Sequence, residues 1–173
     1  MMKKLFLPLL LAFCFYSGSV FVYFLPPGSF GIDKVLTPHF LLVMLILMGI
    51  FYFRNRSLIY AAIFGLIFDI YFTEIIGIYF TLFPIAVYLS AKTSKFLQAN
   101  ILTTLVISTI CLTLVEIIVY IFNVLIMQIN LQPEDYVLVR LWPTLVLNLI
   151  FLLIIYYPFS RMLQKSVKEE LNE

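Results

Sequence analysis

From Leu5 to Leu25 the chain runs without a charged residue, and that stretch limits the fold more than any other feature. About 20 helical residues cross the roughly 30 Å hydrocarbon core of a bilayer. In that core only helices and closed barrels satisfy their own backbone. Lys3 and Lys4 just ahead would also suit a signal peptide, but the run exceeds the usual apolar region of about 7–15 residues. Bulky Phe13 beside Cys14 does not suit a lipoprotein cleavage site. The segment therefore reads as a retained membrane helix. The rest of the chain agrees, because only 12% of its residues are charged and 64% are hydrophobic. A soluble domain carries about 25% charge.

Runs between polar breaks give six transmembrane helices, an all-α polytopic membrane protein with a single integral domain over 1–173. The expected spans are 5–25, 38–53, 57–73, 75–91, 100–127 and 136–160, followed by a short tail over 161–173. Thr37 suits a helix cap and Pro38 the first helical position of the second span. Thr73-Glu74 alone separates the third and fourth spans, which predicts a tight hairpin. In the tail, Leu163, Val167 and Leu171 share one helical face, either a fraying helix end or a handle for a cytoplasmic partner.

The connections alternate in charge. Lys3, Lys4, Arg54, Arg56, Lys92, Lys95, Arg161, Lys165 and Lys168 fall on one side, nine of the eleven Lys and Arg. Lys34 and Arg140 fall on the other, with Asp33, Glu74, Glu134 and Asp135. The positive-inside rule then puts both termini of a multi-pass membrane protein in the cytoplasm. A net charge of +2 gives no basic surface for nucleic acid. Cys14 and Cys111 lie in apolar runs and read as small buried hydrophobes. The single histidine, His39, has no second ligand at metal spacing and reads as an interfacial structural residue. No phosphate loop, nucleophile elbow or zinc-protease motif occurs, so neither an enzyme nor a cofactor is expected.

Three charges sit inside the spans. At 1.5 Å per residue, Glu116 lies about 24 Å above Asn100, Arg140 about 6 Å below Tyr136, and Asp69 about 18 Å above Ser57. All three can meet at similar height. Thr109, Thr113, Tyr120 and Asn123 extend the Glu116 face, and Thr144 and Asn148 extend that of Arg140. The expectation is one intramembrane polar cluster of Asp69, Glu116, Arg140, Asn123 and Asn148, with Arg140 the counter-ion of Glu116, Asp69 or both. Such a cluster serves either to fix helix register or as a small-molecule, ion or proton site. Ala61, Gly65 and Asp69 step by four along a face that small residues open to a neighbouring helix, with Gly77 at the start of the next span.

Gly65-Leu66, Asp69 and Gly77 form a G-L-x-x-D pattern followed by a glycine. Arg140, Pro143-Thr144, Asn148 and Pro158 form a second pattern in the last span. With the proline-led second helix, these resemble the MreD family over essentially the whole chain. The resemblance implies a non-enzymatic scaffold of the bacterial cell-elongation machinery, with MreC, MreB, RodA and a penicillin-binding transpeptidase as partners. It leaves open whether the Asp69 face maintains the scaffold's own shape or contacts MreC. The family is also distantly similar in fold to substrate-binding subunits of energy-coupling-factor transporters, so the alternative is a six-helix solute-binding subunit. Such a subunit would need longer outer loops than these.

Overall fold

Six helices build the computed structural model, which describes residues 2–25, 34–73, 75–127 and 132–172. They are α1 (Met2–Phe24), α2 (Phe40–Phe51), α3 (Arg54–Phe72), α4 (Ile78–Phe96), α5 (Ile101–Met127) and α6 (Pro133–Leu171). The expected turn at Pro26-Pro27-Gly28, and Asp33 and Glu74, lie outside the described residues. Four helices, α1, α3, α5 and α6, are long and apolar enough to cross a membrane. This is a polytopic membrane protein.

The second span departs from its expected bounds of 38–53. Helix α2 has 12 residues, about 18 Å at 1.5 Å per residue, too short to cross alone. It starts two residues after Pro38, and Thr37 is not its cap. The chain from Lys34 to His39 is irregular instead. Helix α2 is nevertheless the core, since every residue from Leu41 to Met48 is 3% exposed or less. A helix apolar on all sides is stable only where other helices surround it. Here α1, α3, α4, α5 and α6 all pack against it. Close approach is made possible by Gly49, whose added Cβ would lie 2.9 Å from the Val87 carbonyl oxygen. Ser57 Oγ donates to the Met48 carbonyl at 3.0 Å, a second donor beside the Tyr52 amide at the end of α2.

Helices α3 and α4 form the expected hairpin, joined by a turn that ends at Gly77. Its φ of 121° lies in the region that side-chain-bearing residues avoid. Gly65 sets the crossing. A Cβ there would lie 2.5 Å from the Tyr79 carbonyl oxygen and 3.0 Å from the Phe80 Cα. Gly65 is therefore packed against this chain's own α4, and Ala61 and Asp69 on the same face are fully buried.

Helix α6 does not fray at residue 160 but continues to Leu171. Arg56, near the start of α3, holds its end by a bidentate pair, Nη1 to Glu170 Oε2 and Nη2 to Glu170 Oε1, both 2.5 Å. Leu163 is fully buried, whereas Leu171 is exposed. At the start of α5, Asn100 and Thr103 cap each other reciprocally, amide to side chain, at 2.9 and 3.0 Å.

Gly65→Leu should force α3 and α4 apart, and overpacking typically costs about 1–3 kcal/mol. The expected result is a lower unfolding temperature in detergent and less protein in the membrane. A variant as stable and abundant as the wild type would show that the α3–α4 crossing does not depend on this glycine.

Candidate functional site: two polar joints in an apolar bundle

The charges expected to form one cluster form two separate joints. At the first, Asp69 projects from α3 towards the start of α4. Its carboxylate accepts from the amides of Gly77 (2.8 Å), Tyr79 (2.9 Å) and Phe80 (2.9 Å). Thr73 Oγ1 adds a longer contact at 3.3 Å. The first N–H groups of any helix lack intrahelical acceptors, and in an apolar surrounding each needs one. A carboxylate meets that need and also faces the positive end of the helix dipole. Asp69 is fully buried and, among the described residues, makes no ion pair. Of the partners expected for Arg140, Glu116 or Asp69 or both, the structure gives it Glu116, and the Asp69 carboxylate is held by backbone amides at the start of α4 instead.

The second joint surrounds Glu116 on α5, 1% exposed. His39 Nε2 lies 2.5 Å from its Oε1. Its Oε2 accepts from the Tyr136 hydroxyl at 2.6 Å and from Arg140 Nε at 3.1 Å. His39, read from sequence as an interfacial residue, is thus a 2% exposed member of the network. Its small hydropathy signal next to Pro38 gave no sign of a carboxylate on a distant helix. Tyr136, equally missed, sits one turn before Arg140 on the same helix.

Asn148 and Thr144 on α6 act on the backbone rather than on the charges. Asn148 Oδ1 accepts from the His39 amide at 2.7 Å, and its Nδ2 donates to the Thr37 carbonyl at 2.9 Å. The Thr37 amide donates to Thr144 Oγ1 at 3.2 Å. These side chains replace the ladder that a segment outside helix and sheet lacks. Asn123 stays apart, lining a cleft of about 150 Å³ with Tyr120, Tyr136 and Arg140.

Pro143 explains the geometry of α6 at this height. Proline has no N–H and crowds the carbonyl four residues back, here that of Val139. The helix widens to π geometry over Val137–Leu141, with the Trp142 amide reaching back to Val137. The released Val139 carbonyl accepts from the Val35 amide at 2.9 Å. Such π turns frequently occur at functional positions. This one brings Tyr136 and Arg140 to Glu116 and ties down the chain leading into α2.

Both joints fall on the sequence patterns noted above, Gly65–Asp69–Gly77 on the first and Arg140–Pro143–Thr144–Asn148 on the second. The family model for rod shape-determining protein MreD matches residues 2–166. Rod shape-determining protein MreD of Bacillus subtilis (strain 168) is 32% identical over 172 residues, covering 99% of each chain. The chain belongs to the MreD family. No solved structure matches it. MreD proteins are rod shape-determining proteins, so the joints belong to a membrane protein of cell-shape determination. Among the described residues, no three of His, Cys, Asp and Glu are grouped to hold a metal ion.

The two joints should respond differently to a double-mutant cycle. Removing one partner of a buried pair costs about 3–5 kcal/mol. Arg140→Leu and Glu116→Leu should each destabilise the detergent-solubilised protein, and the double variant should recover part of the loss. Asp69→Leu should be equally damaging, yet combine additively with Arg140→Leu. Coupling between Asp69 and Arg140 above about 1 kcal/mol would place them in one network.

Proposed function

We propose that this MreD-family protein is a non-enzymatic scaffold of the cell-elongation machinery in the bacterial cytoplasmic membrane. In this reading it organises MreC, MreB, RodA and a penicillin-binding transpeptidase. The observation that carries it is the full-length family match on a bundle whose buried polar side chains serve its own joints. Asp69 caps α4, Glu116 gathers α2 and α6, and Asn148 serves the backbone leading into α2. Broad apolar faces remain on the outside, including Phe13, Tyr16 and Tyr23 on α1 and Leu153, Ile154 and Tyr157 on α6. These offer surface to lipid or to membrane helices of partners.

In the same reading all six helices lie in the membrane, with both termini cytoplasmic. Support comes from the bundle end that gathers the cations. Arg56 pairs with Glu170, and Arg54 lies over the Tyr88 ring of α4 at 4.5 Å. Phe6 and Leu7 of α1 share a cleft with Arg56 and Lys165 there. Helix α2 completes its crossing with the non-helical lead-in from Lys34 to His39. The alternative, a solute-binding subunit of a transporter, has less support, since both buried carboxylates, Asp69 and Glu116, accept from the protein's own donors.

Cross-linking and copurification from membranes test the scaffold. Recovery of MreC and RodA is expected, and recovery of an ABC-type ATPase pair instead would favour the solute-binding subunit. Cysteines at Asn55, Thr93 and Ser166, with Cys14 and Cys111 replaced, should be shielded from an impermeant thiol reagent in intact cells. A cysteine at Gln132 should react. Labelling at Thr93 from outside would overturn the six-span topology.

A further inference from the structure

Between α1 and the α2–α3–α4 core lies a cleft of about 280 Å³, near the lower end of the roughly 300–1,000 Å³ of small-molecule pockets. Its deep wall is apolar, formed by Cys14, Leu42, Phe68 and Phe83. Val22 and Phe72 also line it and are 43% and 48% exposed, so it opens sideways to whatever surrounds the bundle. From Cys14 to Val22 it follows α1 for about 12 Å, most of the depth of one leaflet, which is half of about 30 Å.

The cleft is polar only at the end of the bundle that carries the start of α6. There His39, Thr37 and Arg140 line it. Arg140 gives Nε to Glu116, whereas its two terminal nitrogens have no protein acceptor among the described residues. A guanidinium carries five N–H donors in a planar fork suited to phosphate and carboxylate oxygens. His39 Nδ1 is also buried without a partner. Lys34 is exposed at the same end, beside Val35, whose amide is tied to Val139. The acids there, Glu134 and Asp135, are exposed in the first turn of α6.

We propose that this cleft is a phospholipid site. One acyl chain lies along α1 against Cys14, Leu42, Phe68 and Phe83, and the headgroup phosphate and ester oxygens accept from the Arg140 fork. An apolar recess open to a bilayer is filled by hydrocarbon. Donors at its mouth select an amphiphile with oxygens at the matching height. A bound lipid would tie α1 to the Glu116 joint. The site depends on the membrane setting and not on the choice of protein partners.

The test uses the full chain in nanodiscs doped with phosphatidylglycerol that carries a mid-chain diazirine. After irradiation, adducts are expected on Cys14, Leu42 or Phe83, residues at most 6% exposed, as well as on outward Phe13 and Ile154. Ser19→Phe, which fills the cleft, should reduce the inner adducts about tenfold and leave the outer ones unchanged. Arg140→Lys keeps a cation for Glu116 but loses the fork. It should lower retention of one phosphatidylglycerol in native mass spectrometry by about tenfold, the equivalent of one charge-assisted hydrogen bond. Adducts confined to outward positions, or inner adducts indifferent to Ser19→Phe, would overturn the site. Retention unchanged in Arg140→Lys would overturn the role of Arg140 in it.

Discussion

The irregular backbone from Lys34 to His39 is the constraint on which the bundle depends. It leads into the most buried helix of the protein, yet has no helical or sheet partner of its own. Unpaired amides and carbonyls in an apolar interior cost several kcal/mol each, so α6 must supply what is missing. Thr144, Asn148 and the carbonyl released by Pro143 bond to Thr37, His39 and Val35. Helix α2 can then be short and wholly apolar, because its entry is held from outside.

The same logic governs the α3–α4 turn. There the unsatisfied groups are the first amides of α4, and Asp69 provides the acceptor from the preceding helix. Gly65, four residues earlier on the same face, allows the approach that makes those bonds short. The two joints divide the work. One fixes a hairpin through a charge facing amides, and the other fixes three helices through Glu116 and its partners His39, Tyr136 and Arg140. A buried charge retained on either pattern is consistent with shape being specified more than stability being maximised.

A membrane bundle of this kind keeps its two charged joints inside and presents apolar surface outside. Helix α1 exposes Phe13, Tyr16, Tyr23 and Phe24, and α6 exposes Ile154 and Tyr157. In a bilayer these residues meet lipid or the helices of other proteins. At the opposite end from α6's first turn, the Arg56–Glu170 pair holds the last turns of α6 against α3, giving the basic end of the bundle a defined form.

By itself the sequence determined the all-helical membrane class, most helix positions and the three charges that matter, because hydropathy and charge are local properties of the chain. It also marked Gly65, Asp69, Gly77, Pro143 and Asn148. Their partners could not be read, since periodicity reports which face of a helix a residue occupies and not what that face meets. Depth placed Asp69 and Arg140 at similar heights, but only tertiary packing gave Asp69 the amides of α4 and gave Glu116 the His39 ring. The lead-in to α2 was likewise invisible, because Thr37-Pro38 has the form of a helix start. Tertiary structure decided against helix there, because Thr144 and Asn148 offer irregular backbone the hydrogen bonds that an isolated segment would find only by coiling.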